Sequence, residues 1–316
     1  MEFVTDPWQW WVEPFIDDPA LQRVVLAGLL TVAVTSIVGT WVVLRGTTYL
    51  AEALGHGVLP GVAAAHLLGG NPTTGALVAA VAMVVGVRGV QRRSPLPGES
   101  AIGLLLVAML ALTVVLVAAT DGIDEHDLHE MLFGSVLDTG TGDLVRQAVL
   151  VGVVALVALV FHRALLVLTF DETQARLLGM RPRLTEMAFL LLAALSVTAS
   201  FDVVGSLLVF AFLVAPPAAA AMLARRVPAI MATSAVIGTG SVLLGTLLAH
   251  HLLGEADHVH DLSTVVDGHA TAEGAAMAAT MALVAVAVVL VVMVARGARG
   301  ARGARGARGA REDLSA

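Results

Sequence analysis

Long unbroken apolar runs, separated by short polar joints, set the pattern of this chain. They fall at about 21–44, 48–68, 73–91, 101–119, 146–169, 185–200, 203–222, 228–252 and 273–295. Each comes close to the ~20 residues that a helix needs to cross a bilayer. A soluble helix would instead show an apolar stripe recurring every 3.6 residues. The pattern therefore predicts an all-α fold, a polytopic transmembrane helical bundle of eight or nine spans. The count is open at 185–222, where the joint SFDVVG is short and the first member is barely long enough.

The polar joints assign a direction. Arg45, then Arg88, Arg92 and Arg93, then Arg163, Arg176, Arg181 and Arg183, then Arg225 and Arg226 fall on alternating loops with the C-terminal tail; only Arg23 and Arg146 lie opposite. By the excess of basic residues on cytoplasmic loops, the arginine-rich face is cytoplasmic. A multi-pass protein of the cell membrane with its C-terminus in the cytoplasm is expected. Three regions follow. Residues 1–20 form an extracytoplasmic interfacial segment, acidic but carrying Trp8, Trp10 and Trp11, which suit a membrane interface. Residues 21–295 form the transmembrane domain. Residues 296–316, built on an Ala-Arg-Gly repeat, form a disordered tail that meets anionic lipid, with no nucleic-acid role expected.

Composition narrows the chemistry. Hydrophobic residues make up 58% of the chain and charged residues 14%, and the mean hydropathy is +0.88. There is no cysteine, which removes disulfides and thiolate metal sites, and all 18 basic residues are arginine. Without lysine there is no phosphate-binding loop of the G-x-x-x-x-G-K-[ST] type and no Schiff-base chemistry. If ATP drives this protein, another chain hydrolyses it; no enzyme activity is expected here.

The stretch LAEALGHGVLPG, residues 50–61, places a carboxylate, Glu52, and an imidazole, His56, four residues apart inside an apolar run. On a helix they are about 40° apart around the axis and ~6 Å apart along it, so both can meet one cation. Pro60 has no N–H for the His56 carbonyl, which predicts a helix break and a freed oxygen at the site. Gly55, Gly57 and Gly61 thin the helix there. Ionisable groups inside a membrane are expensive and mark function more often than packing.

Those residues carry a resemblance. LAEALGHGVLPGVAAAHLLG is similar to the signature segment of the zinc/manganese-type (ABC-3 family) ABC transporter permeases, whose pattern reads roughly S-D-A-L-S-H-A-V-L-P-G. The likeness continues in order through ESAIGLLL (99–106), EMLFGSVL (130–137), FDETQARLLGM (170–180) and VVGSLLVFAFLVAPPAAAAML (203–223). It implies a translocation path lined by Glu52 and His56, with Glu standing where the family usually has Asp. It also implies a homodimer of permease subunits, a separate cytoplasmic ATPase and an extracytoplasmic metal-binding protein. Two carboxylates and two imidazoles from the dimer would suit Zn²⁺ and accept Mn²⁺ or Fe²⁺. The metal is then a transported substrate, zinc first, met halfway through the membrane, and no cofactor is held permanently.

Two loops add candidates. TFDETQARLLGMRPRL (169–184) predicts a short helix capped by Thr169 or Asp171, favoured at its start by Glu172 and ended by Gly179 with Pro182. The resemblance makes it the helix that couples to the ATPase, through Asp171, Glu172, Arg176 and Gly179. The outward loop 250–270 carries His250, His251, His258, His260 and His269, half of the ten histidines, with Asp257, Asp261 and Asp267. It reads equally as a metal-collecting loop or as a solvated connection. His126 and His129, in the loop 121–130, suit a surface that meets a binding protein; His66 and His162 receive no role. The resulting expectation is the permease subunit of an importer for divalent transition metals. A proton-coupled secondary transporter and an intramembrane metal-dependent enzyme are the alternatives.

Overall fold

A computed structural model of the protein describes residues 19–95, 97–119, 140–253 and 279–296. The described residues are helical with short joints, and no strand occurs among them. In order the helices are α1 (Pro19–Leu44), α2 (Thr48–Gly57), α3 (Leu59–Leu67), α4 (Pro72–Arg93), α5 (Gly98–Ala118), α6 (Thr141–Phe170), α7 (Glu172–Leu177), α8 (Pro182–Leu223), α9 (Val227–Leu253) and α10 (Ala279–Arg296). Seven helices among the described residues are long and apolar enough to cross a membrane. The expectation of eight or nine spans is thus slightly high, for two separate reasons.

The first is the run 48–68, in which neither helix is long enough by itself to span. It is divided at Val58 into the short helices α2 and α3, of ten and nine residues. The second is the pair 185–222, helical throughout as α8, whose second apolar stretch, Val209–Leu223, is shorter than a span needs. Straight, α8 would be ~63 Å long, about twice the hydrocarbon thickness. It is not straight. The Arg45 guanidinium lies 4.4 Å from the centre of the Phe189 ring, while Gly39 sits against the Leu213 carbonyl and the Pro217 ring. Gly39 and Arg45 are ~9 Å apart along α1, whereas Phe189 and Leu213 would be ~36 Å apart on a straight helix. The run must turn back between its apolar stretches, Pro182–Phe201 and Val209–Leu223, so that both lie beside α1.

α1 is the axis of the bundle, packed by α6, α8 and α9. Its Trp41 is the largest fully buried side chain and meets His162 of α6 edge-on, with ring centres 5.5 Å apart. α9 runs antiparallel to it: Gly28 faces Val242, Gly238 faces Val32, and the Ser36 and Ser234 hydroxyls are 3.3 Å apart. Several polar groups in this interior are paired with oxygens of the chain. Thr35 and Thr40 donate to the carbonyls of Thr31 and Ser36, each at 2.7 Å. The Gln147 amide of α6 donates to the Ala27 carbonyl at 3.1 Å and to the Thr31 hydroxyl at 3.0 Å. With no water in the hydrocarbon layer, side-chain donors take backbone oxygens in this way.

α2, α3 and α4 form the second half of the bundle. Gly57 packs on Met83, Gly61 on Gly75 and Ala79, and Ala65 on Gly75, so α2 and α3 run antiparallel along one face of α4. At the Gly61–Gly75 crossing the two backbones touch: a Cβ on either would strike the other's carbonyl oxygen. Small residues allow such approach, and dispersion between close backbones replaces the hydrophobic effect inside a bilayer. α5 and α6 are barely covered by the rest of the chain, with 6% and 17% of their apolar windows buried.

Gly61→Leu should therefore lower the stability of the detergent-purified protein by about 1–3 kcal/mol through overpacking. Gly89, on the same helix as Gly75 but with open space where a Cβ would stand, makes the control. Gly89→Ala should hold or raise stability by about 0.5–1 kcal/mol. Thermal or denaturant midpoints of the two variants check the pair, and equal effects would contradict the packing assigned to Gly61.

Candidate functional site

The break at Val58 is built by its neighbours. α2 ends at Gly57, Val58 keeps right-handed φ and ψ of −80° and −24°, and Pro60 stands in the first turn of α3, where it needs no N–H donor. Gly61 and Val62 donate to the Val58 carbonyl at 3.0 and 3.2 Å, which starts the new helix. The expected free oxygen on His56 is not free. That carbonyl accepts a backbone N–H at the Val58 cap. A local cap satisfies it more cheaply than a distant partner, so the site's oxygen donors must come from side chains.

Glu52 and His56 lie together on the open side of α2. Leu50, Ala51, Ala53, Leu54, Gly55 and Gly57 are buried, whereas Glu52 and His56 are half-buried. Thr48, Tyr49, Glu52 and His56 span an arc of about 100° around the helix, with Tyr49 38% exposed. α2 thus buries its apolar side against α5 and α8; of its polar positions Tyr49 reaches α5, its hydroxyl beside Gly103, while Glu52 and His56 stay half-buried. Tyr49 was not singled out by sequence reasoning. Its spacing of three residues before Glu52 was the available signal, hidden because a lone Tyr beside an apolar run reads as an interfacial anchor.

α2 and α3 follow α4 in one direction, and together they cover ~29 Å from Thr48 to Leu67. Glu52 lies ~6 Å and His56 ~12 Å from the Thr48 end, so the pair sits in the half nearer the arginine-bearing face.

No group of three or more His, Asp or Glu side chains that could hold a metal occurs among the described residues. One chain brings together two ligands, one oxygen and one nitrogen, below the four that a closed zinc site takes. His250 and His251 do not belong to a loop, because α9 continues through them to Leu253. His258, His260 and His269 lie outside the described residues, as do His126 and His129. His66 is exposed at the end of α3, and His162 packs on Trp41.

The segment 169–184 forms the short helix α7. Asp171 is its cap, accepting from the Gln174 N–H at 3.0 Å. Thr169 is not: its hydroxyl donates back to Leu165 within α6 at 2.6 Å. Glu172 opens the helix. At the other end Gly179 donates to the Arg176 carbonyl at 3.1 Å and Met180 to the Ala175 carbonyl at 3.0 Å, a full Schellman closure. It requires a left-handed residue, and Gly179 supplies φ of +71°. Pro182 then starts α8. Ala175 is buried, while Phe170, Leu177 and Leu178 are 68%, 82% and 63% exposed. The helix is thus short and closed at both ends, and it carries bare apolar side chains at its tip.

The sequence pattern described as "ABC 3 transport family" matches residues 17–295. A manganese transport system membrane protein, MntC of Halalkalibacterium halodurans, is 32% identical over 71% of this chain and 77% of its own length. A chelated iron transport system membrane protein, YfeD of Yersinia pestis, is 30% identical over 77% of this chain and 80% of its own. Among solved structures, PsaBC from Streptococcus pneumoniae in complex with Fab superposes with a TM-score of 0.73 at 24% identity, over 89% of this chain and 94% of that one. That likeness establishes the fold as the one seen in that membrane protein.

The closure of α7 makes a local prediction. Gly179→Ala should destabilise the left-handed position by about 1 kcal/mol. Amide hydrogen exchange should quicken about fivefold at residues 174–180, with the global melting temperature unchanged. Unaltered exchange there would mean that the closure contributes nothing.

Proposed function

The chain belongs to the ABC 3 transport family, and from that premise we propose that it is the membrane-spanning subunit of an ATP-driven importer for a divalent transition metal. Glu52 and His56 are then the side chains that meet the ion inside the membrane. The observation that carries this reading is the stripe on α2. In a helix whose other positions beyond the first turn are sealed by neighbours, the half-buried positions are a carboxylate and an imidazole, one turn apart. Such groups are costly there unless a charge or a water-filled path accounts for them.

Two ligands leave the ion incompletely held. A second copy related by a two-fold axis supplies another carboxylate and another imidazole, and the weakly covered α5 and α6 leave surface for that partner or for lipid. The metal is read from chemistry and kinship together. The named relatives handle manganese and chelated iron, the carboxylate–imidazole pair accepts Mn²⁺, Fe²⁺ and Zn²⁺, and zinc, placed first from the motif, is one arm of the test. Because the chain has no lysine, it has no phosphate-binding loop. Energy comes from a separate ATPase, which docks on α7 and its exposed Leu177 and Leu178. An extracytoplasmic binding protein delivers the ion. His258, His260 and His269, beyond α9, are proposed to raise the metal concentration at that entrance; neutral imidazole is the ligand form.

Proteoliposomes holding the permease and its ATPase, supplied with ATP and labelled Mn²⁺, Fe²⁺ or Zn²⁺, test the reading. Glu52→Gln and His56→Ala should each cut uptake more than tenfold, since even outer-shell losses at metal sites cost 10–100-fold. Glu52→Asp should retain most of it, because the charge stays. Uptake that persists without ATP but follows a proton gradient would favour the secondary transporter instead. Near-normal uptake by either Glu52→Gln or His56→Ala would remove the site.

A further inference from the structure

Two clefts open at the arginine-bearing ends of α4 and α8. One, of about 470 Å³, is lined by Arg88, Gln91, Arg92 and Arg183. The other, of about 620 Å³, shares Arg88 and Arg183, adds Arg176 and Arg181, and is partly apolar through Met180, Pro182 and Leu184. Glu186 is the one carboxylate that lines either. It sits 2.9 Å from a terminal nitrogen of Arg88 and offsets a single positive charge. The Arg88 side chain is 14% exposed, and its Nε is a buried donor with no acceptor among the described residues. Four guanidinium groups, those of Arg88, Arg92, Arg181 and Arg183, therefore converge on adjoining spaces, with Glu186 the one carboxylate among the described lining residues.

Concentrated like charge of this kind is unfavourable unless an anion neutralises it. Guanidinium forks match phosphate oxygens in pairs. The position supplies the rest of the specificity. Arg88, Gln91 and Arg92 lie in the last turns of a membrane-spanning helix, and Arg183 and Leu184 lie in the first turn of another. Both clefts thus stand at headgroup level on the arginine-rich face, where anionic lipids collect. The polar cleft suits a phosphate and the partly apolar one suits the glycerol and upper acyl chain. We propose that this pair of clefts is a binding site for the headgroup of an anionic phospholipid, wedged between α4 and the α7–α8 junction. It is distinct from the Glu52–His56 stripe. A lipid held there would brace the start of α8 next to α7.

The full chain in neutral detergent is titrated with phosphatidylglycerol, phosphatidylcholine and inorganic phosphate, without metal, and bound lipid is counted by native mass spectrometry. The variant is Arg92→Gln with Arg183→Gln, which spares the Arg88–Glu186 pair. The control, Arg225→Gln with Arg226→Gln, removes the same charge from another loop on that face. Wild type and control should bind phosphatidylglycerol well above phosphatidylcholine, and the cleft variant should lose about tenfold or more in affinity, the weight of two charged hydrogen bonds. Equal loss in the control would reduce the effect to general surface charge and overturn the proposal. So would displacement by millimolar inorganic phosphate, which would assign the clefts to a soluble anion. Loss of lipid when the ATPase binds, with the cleft variant failing to retain that ATPase, would assign them to a protein partner. Because no transport is measured, failure here leaves the permease reading standing.

Discussion

A backbone N–H or C=O that loses its helical partner inside a bilayer finds no water to replace it. The interruption at Val58 exists under that constraint, and the rest of this half of the molecule is arranged to satisfy it. Pro60 removes an N–H that would have no acceptor in the first turn of a new helix, the Val58 cap takes up the His56 carbonyl, and Gly61 restarts the ladder. What remains is lateral support. The contact of Gly61 with Gly75 brings the α4 backbone against the broken segment closely enough to shield it. A larger residue at either position would open the gap that the break cannot tolerate.

Function follows from how this support is distributed. α4, α5 and α8 cover the apolar side of α2 and leave its polar stripe uncovered. A carboxylate and an imidazole held on such a stripe are accessible without being floppy, because the helix behind them is packed. Two ligands also make a site that is easily left. A complete, closed coordination shell in one chain would bind tightly and release slowly, which is the wrong property for an ion in transit.

The face that carries the arginines has a different logic. α7 is too short to be stable from propensity alone, so it depends on the Asp171 cap and the Gly179 closure at its two ends. Its apolar tip then stands out from the membrane surface beside the arginine clefts. The tip of α7, the arginine clefts and the start of α8 share residues 176–184, so a change at one is close in space to the others.

The sequence alone was sufficient for much of this. Apolar runs near twenty residues long exclude a soluble fold because hydrocarbon must be faced along their whole length, and the Glu52–His56 spacing already placed an acid and an imidazole on one side of a helix. Asp171 and Gly179 were legible as helix ends because capping is a matter of a few neighbouring residues. Other features depended on contacts between distant segments. Whether 48–68 is one span or two half-helices, whether 185–222 doubles back beside α1, and which side of α2 stays open all turn on Gly61 against Gly75, Gly39 against Leu213, and Arg45 over Phe189. The arginine clefts likewise join residues nearly a hundred positions apart. Local pattern encodes what a segment can bury, but only the packed structure decides what covers it, because covering requires a partner that the segment's own residues do not name.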